Sequence, residues 1–402
     1  MGQHPFDAQA EPFVARTLER LTGALGPEAI TPAFAAAFRR WPRYRFVQRY
    51  TVLHRAWYDV ARGQVLPHLQ RLFGDGPICI KDDDSEGCLR VLSQLPAPAT
   101  MARFIQLLKL RPGDRVLEVG SGSGWLLAMI ADIVGPSGKV VGIEIDPEIV
   151  GQARRHLDET GLNNVEIVTG DAAVSLPEGD RYNRVVISAI INDLPRTVFS
   201  AAADDAILVA PAGTPGRTGR LYGWSRHGNV FRAMASVSSS CPPLLGRLAV
   251  PDPGLPNPAK LPFADLLRTP ALHRAPCFAA QATKEQRLVV MNDFCSFLGV
   301  RFGRAWSWWV AGEQPGESRQ FVGHYDRRSS SVGVLTAEGF EGYGADAAWK
   351  QIHAAWNEWL AVGRPSLSKY MLDIHPADAR PAASSTCWVH QHRDSVFVWR
   401  LR

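Results

Sequence analysis

Val116-Leu-Glu-Val-Gly-Ser-Gly-Ser-Gly124 is the stretch that decides the fold. Its first half is a short apolar run of the kind that forms a buried strand. Three glycines at alternate positions follow, and without Cβ atoms the backbone turns sharply and approaches a ligand closely. Trp125-Leu-Leu-Ala-Met-Ile-Ala-Asp-Ile-Val134 then reads as a helix. A strand, a glycine turn and a helix in direct succession form the ligand-facing corner of a parallel α/β sheet.

Working outward, the alternation continues. Lys139-Val-Val-Gly-Ile-Glu144 reads as the next strand, Pro147 to Thr160 as a helix stopped at Gly161, and Val165-Glu-Ile-Val168 as a third strand. Arg184-Val-Val-Ile-Ser188 and Ala206-Ile-Leu-Val-Ala210 supply two more. Upstream, Met101, Phe104, Ile105, Leu107 and Leu108 mark a helical face that ends at Pro112-Gly113. Short β-rich runs alternating with helices predict an α/β fold with a doubly wound parallel sheet.

In such sheets ligands bind outside the carboxyl ends of the strands. Glu144 ends the second strand, where a carboxylate accepts two ribose hydroxyls, and Asp171 follows the third strand in Thr169-Gly-Asp171. A dinucleotide site would show G-x-G-x-x-G, but position 125 is Trp and no third glycine falls at that spacing. The bland alternative, an α/β domain without a cofactor, leaves the acids at the strand ends unexplained.

The glycine motif, with Ile143-Glu-Ile-Asp146 and Gly170-Asp171, resembles the class I S-adenosylmethionine-dependent methyltransferases, a Rossmann-like fold. That resemblance implies S-adenosyl-L-methionine as cofactor. Glu118 and the loop Gly120, Ser121, Gly122 and Gly124 then hold the methionine part, Glu144 the ribose and Asp171 the adenine edge, with Ile145, Ala172 and Ser188 as further contacts. Flanking segments resemble one family within that class. Ile187-Ser-Ala-Ile-Ile-Asn-Asp-Leu-Pro195 is similar to the loop after the fourth strand in protein-L-isoaspartate O-methyltransferases. Trp41-Pro-Arg-Tyr-Arg-Phe-Val47 and Trp57-Tyr-Asp59 resemble that family's N-terminal segment, and Leu92-Ser-Gln-Leu-Pro-Ala-Pro98 its substrate loop.

The family likeness implies a carboxyl O-methyltransferase that esterifies an aspartyl or isoaspartyl side chain of a peptide or protein. The family's loop carries a Ser whose hydroxyl faces the substrate carboxyl. A gap-free count back from the following helix puts Pro96 at that position, and an extra loop residue puts Ser93 there; we favour Ser93. Backbone N–H groups near Ala189 and Ile190 are candidates to hold a carboxylate oxygen. The family's Gly-Asp-Gly is here Gly170-Asp171-Ala172.

The chain runs on well beyond residue 212. Gly342-Tyr-Gly344, Trp356-Asn-Glu-Trp-Leu360 and Gly363-Arg-Pro365 resemble extensions found in long, peptide-tailoring relatives, whose ester closes to an aspartimide. This makes modification of a ribosomally made peptide the leading expectation, with repair of isoaspartyl protein and methylation of an RNA base as alternatives. Base amino-group methylation would place Asn/Asp-Pro-Pro-Tyr after the fourth strand, where this chain has Ser188-Ala-Ile-Ile. A non-catalytic module is disfavoured by the intact Glu118, Glu144 and Asp171.

Composition agrees with a folded, non-membrane chain. The 402 residues are 46% hydrophobic and 21% charged, with a net charge of +5 that calls for no nucleic-acid partner. No uninterrupted apolar window reaches membrane-spanning length, and the N-terminus shows no basic region followed by an apolar run, so a cytoplasmic location is expected. Six scattered cysteines without C-x-x-C or zinc spacing predict thiols and no metal site. The expected organisation is an N-terminal helical and substrate-loop segment over 1–100 and a cofactor-binding core over 101–215. A Pro-rich connection ending the core sheet follows over 216–283, then a smaller Trp-rich α+β domain over 284–402. Oligomeric state is left open.

Other features have competing readings. Asn192-Asp193 is either a substrate contact or a solvated loop, and Asp82-Asp83-Asp84 is read as a solvated hairpin or loop. Trp306 and Trp308 share one side of a strand and read as core beside Trp309. Trp349, Ile352, Trp356 and Leu360 form a core-facing helical stripe. His324-Tyr325-Asp326 is read as a structural turn.

Overall fold

The structure is a computed structural model that describes residues 4–52, 56–83, 90–177, 181–214, 219–238, 241–249, 261–279, 281–311 and 318–402. Its centre is a ten-stranded sheet. From one edge, its strands are Cys387–Gln391, Ser395–Leu401, Tyr370–Pro376, Val230–Ser238, Arg220–His227, Ala202–Ala212, Tyr182–Ile187, Arg115–Val119, Lys139–Glu144 and Val165–Thr169. The last five pair in parallel and the rest antiparallel. All five strands expected from the sequence are present. The strand order reverses direction beside Arg115–Val119, the topological switch point at which α/β sheets bind ligands.

Alternation along each strand sends neighbouring side chains to opposite faces. Val116, Val140, Ile167, Val186 and Val209 enter a core built with the N-terminal helices and with helices Pro98–Leu108, Trp125–Val134 and Pro147–Thr160. Leu117, Val141, Val185, Ile187 and Leu208 face the other way, onto helices Lys284–Phe302 and Asp346–Ala361. A parallel sheet is stable only with both faces covered. Among the described residues, the crossover chain supplies only the six-residue helix Arg196–Ala201 to the second face, so the C-terminal third completes the core.

The segment 284–402 is α+β, as expected, but it is divided. Trp306–Ala311, Ser318–Asp326, Ser331–Leu335 and Phe340–Tyr343 form a five-stranded antiparallel sheet with His273–Ala275. Tyr370–Pro376, Cys387–Gln391 and Ser395–Leu401 instead extend the central sheet. Trp306 and Trp308 are buried, while Trp309 is 42% exposed. Ile352 and Trp359 are buried on the inner side of their helix, with Trp349, Trp356 and Leu360 packed against the same core. His324-Tyr325-Asp326 ends a strand, and the turn begins after it, where Asp326 accepts the N–H of Arg328 at 3.0 Å.

The N-terminal region departs from the expected helical reading after residue 40. Helices Asp7–Leu25 and Pro32–Arg40 form, and the Thr31 hydroxyl caps the second by accepting the N–H of Phe34 at 3.2 Å. Arg49–Thr51, Trp57–Asp59, Ile78–Asp83 and Arg90–Leu95 then make a four-stranded antiparallel sheet. Asp82 and Asp83 lie on a strand of its hairpin, and Asp84 is outside the described residues. Among the described residues no helix is long and apolar enough to cross a membrane, and Cys79, Cys241, Cys277, Cys295 and Cys387 are thiols.

Candidate functional site

A crevice opens at the carboxyl edge of the parallel strands. Glu118, Gly120, Ser121 and Gly122 line its floor, with Ser188 and Ala189 beside them. Glu144, Ile145, Asp171 and Ala172 line one side, and Ser93 with Pro96 the other. Two expected residues stand elsewhere. Gly124 begins the helix Trp125–Val134, and a Cβ there would sit 3.5 Å from the Cβ of Ala153, so it packs two helices together. Ile190 donates its backbone N–H to the carbonyl of Pro242 at 2.8 Å, so that N–H is not offered to a substrate carboxyl.

The acids are arranged differently from one another. Glu118 is 1% exposed; its Oε1 accepts the Ser188 hydroxyl at 2.9 Å, and its Oε2 has no hydrogen-bond partner among the described residues. Burial pushes its carboxyl well above the ordinary range, Ser188 opposes the shift and the nearby Glu144 charge adds to it. A buried polar atom without a partner carries a desolvation cost of about 1–3 kcal/mol. A cationic donor such as an ammonium group relieves that cost. Glu144 is also raised by burial, opposed by the N–H groups of Gly122 at 2.9 Å and Asp146 at 3.1 Å that its oxygens accept. It therefore fixes the glycine loop while facing the crevice. Asp171 accepts from Ala173 N–H at 2.8 Å and from Arg247 N–H at 2.6 Å.

Gly122 has φ 53°, in the left-handed region, and a Cβ built on it would lie 3.4 Å from Ser93 Oγ. The Ser93 hydroxyl thus stands directly across from the glycine loop. Pro96 also lines the crevice, but its carbonyl is taken by Arg43, which donates to it at 2.8 Å. That arginine is fully buried and also donates to the carbonyls of Leu72, Gly76 and Leu95, clamping the corner that follows Ser93. No local pattern in Trp41-Pro-Arg43 signals that role.

Asp193 is neither the substrate contact nor the solvated carboxylate of the two sequence readings. It is buried, accepting from the Ser395 hydroxyl and, at 2.9 Å, from the N–H of Asp394. Sequence reasoning also missed Pro242, Pro243, Leu244 and Leu245, which line the crevice. The signal available was an apolar Pro-Pro-Leu-Leu run inside a stretch read as a Pro-rich connection ending the core sheet.

The protein-L-isoaspartate(D-aspartate) O-methyltransferase family model matches residues 35–239. A protein-L-isoaspartate O-methyltransferase of Aeropyrum pernix is 38% identical over 122 residues, covering 30% of this chain and 47% of that relative. One from Methanococcoides burtonii is 34% identical over 154 residues, covering 38% of this chain and 75% of the relative. The chain thus spans about half the length of the first of these curated relatives and three quarters of the second. A solved structure described as a protein-L-isoaspartate O-methyltransferase is similar in fold with a TM-score of 0.52 at 19% identity, covering 90% of this chain and 96% of that one. The family match takes in more than half of the 402 residues and the whole set of strand-end acids, and by it this chain belongs to the protein-L-isoaspartate(D-aspartate) O-methyltransferase family.

Proposed function

We propose that the chain is an S-adenosylmethionine-dependent carboxyl O-methyltransferase that esterifies an isoaspartyl or aspartyl side chain of a peptide or protein. The observation that carries this reading is Glu118 Oε2, buried at the head of the glycine loop without a partner among the described residues. It suits the ammonium of a methionine part. Gly122, with no Cβ between it and Ser93, leaves a cradle for the same group. Glu144 and Asp171 on the adjoining wall suit the ribose and adenine.

When bound, S-adenosylmethionine supplies a methyl group on a sulfonium, open to attack by an anionic oxygen. The substrate carboxyl has an ordinary pKa of about 4 and is ionised at neutral pH, so the chain needs no general base. Its contribution is to orient the carboxylate and exclude water. Ser93 is the candidate to donate to one carboxylate oxygen and aim the other, with Ala189 beside the floor of the crevice. In the ester product, the backbone nitrogen of the following residue attacks the carbonyl and expels methanol, leaving a succinimide.

The finer reading, programmed esterification of a ribosomally made peptide leading to an aspartimide, rests on the C-terminal segments quoted above. Repair of isoaspartyl protein is the second reading, favoured by the family match. Labelled cofactor incubated with an isoaspartyl peptide, its aspartyl counterpart and tRNA separates these. Base-labile label on either peptide is expected. Label on the isoaspartyl form alone selects repair, and label stable to mild base on tRNA overturns the carboxyl reading.

A further inference from the structure

The crevice is roofed by a segment from another part of the chain. Residues 241–249 follow the strand Val230–Ser238 and cross the carboxyl edge of the sheet. At one end this strap pairs with the loop after Tyr182–Ile187: Ile190 N–H donates to Pro242 O at 2.8 Å, and Leu244 N–H to Ile190 O at 3.0 Å. At the other end Gly246, at φ 88°, comes so close to the nucleoside wall that a Cβ would meet the Asp171 carboxylate and lie 2.8 Å from Ile145 Cδ1. Only glycine fits this approach.

The next residue fastens the strap. Arg247 donates its backbone N–H to Asp171 Oδ2 at 2.6 Å, and its guanidinium donates to the carbonyl of Ala173 at 2.9 Å. A further guanidinium N–H reaches Asp394 Oδ1 at 3.1 Å. Asp394 lies in the turn between the last two strands, and its side chain is 3% exposed. That same turn holds the far wall: Asp394 N–H and the Ser395 hydroxyl both donate to Asp193, and Leu194 N–H donates to Ser395 Oγ at 3.0 Å. A C-terminal turn about 200 residues from the loop it grips therefore ties together the strap, the Asp171 turn and the loop that carries Ala189.

We infer that Arg247 is a positioning residue for the proposed reaction, locking the 241–249 strap over the nucleoside end of the crevice through Asp171, Ala173 and the C-terminal Asp394. Charge-assisted hydrogen bonds of this kind are the strong ones, and here one cation bridges three chain segments. The strap sets how slowly the cofactor leaves and how well water is kept from the methyl donor. The C-terminal strands, which complete the sheet, thereby also complete the cofactor site.

The inference rests on the cofactor reading above, and full-length protein separates the two. Binding and dissociation of S-adenosylhomocysteine are measured for wild type, R247A, R247K, D394N and G246A by calorimetry and stopped-flow tryptophan fluorescence. Initial rates with an isoaspartyl peptide accompany them. R247A is expected to raise the dissociation rate and the KM for S-adenosylmethionine at least tenfold, with kcat and the peptide KM within about threefold. R247K keeps the charge without the fork and is expected to recover part of the loss. G246A pushes the strap off Asp171 and Ile145 while keeping the Arg247 side chain, and is expected to show the same KM-against-kcat split. Adding D394N to R247A is expected to weaken binding little beyond R247A alone. Wild-type dissociation rates in both R247A and G246A overturn the inference while leaving the proposed function standing. Absence of S-adenosylhomocysteine binding by wild type overturns both.

Discussion

Ser188 donates its hydroxyl to Glu118 Oε1 at 2.9 Å, while Oε2 of the same carboxylate receives no hydrogen bond among the described residues. One oxygen is thus satisfied by the protein, and the other suits the ligand donor of the proposed reading. The hydroxyl comes from the end of one strand and the acid from its parallel neighbour, so their meeting is a consequence of strand order.

Glu118→Gln removes the charge but not the shape. It is expected to weaken S-adenosylhomocysteine binding by about 1.5–3 kcal/mol, the range for hydrogen bonds to charged groups. Burial raises the folded Glu118 carboxyl well above the ordinary glutamate value of 4.5. The folded protein therefore keeps this proton over a window where the unfolded chain has lost it. The stability linked to it is full below the unfolded value and is lost as pH rises through the folded one. The Tm difference between E118Q and wild type, without ligand, should grow in favour of E118Q as pH increases. A constant difference across that window contradicts the buried, raised carboxyl.

Ser93→Ala should slow ester formation by about 100- to 1,000-fold, as for loss of one oriented donor in the transition state. Cofactor affinity should stay within twofold, since Ser93 sits across from the loop and, among the described residues, donates nothing to Glu118, Glu144 or Asp171. Ser93→Thr, which keeps the hydroxyl, should recover part of the rate. Unaltered turnover in S93A transfers the role to backbone donors.

Glu144→Ala releases the N–H groups of Gly122 and Asp146 as well as the wall acid. Calorimetry should find S-adenosylhomocysteine bound at least about fivefold more weakly, a loss of about 1 kcal/mol or more. Equal affinity in E144A and wild type would remove Glu144 from the site.

Trp359→Ala tests the second face of the sheet. Trp359 is 1% exposed, packs against Phe294 and Trp356 at ring distances of 5.5 Å and 5.1 Å, and donates Nε1–H to Pro365 O. Denaturant unfolding should show a loss of about 3–5 kcal/mol, the usual range for emptying a buried Trp site. A loss under about 1 kcal/mol would mean that this helix is not part of the shared core.

The sequence by itself determined the parallel half of the sheet, its helices and the positions of Glu118, Glu144 and Asp171 at strand ends. Those features follow from local periodicity and from glycine and proline, whose conformational limits act within a few residues. Tertiary structure alone decided the rest: that the hydroxyl facing the loop is Ser93, that Ile190 spends its N–H on Pro242, that Asp193 is buried, and that the last three strands join the central sheet. Each depends on segments far apart in the chain meeting, and a hydrogen bond between residues 193 and 395 leaves no trace in the pattern around either. The need to cover a second sheet face is general, but which helices cover it is settled only when the chain has found its path.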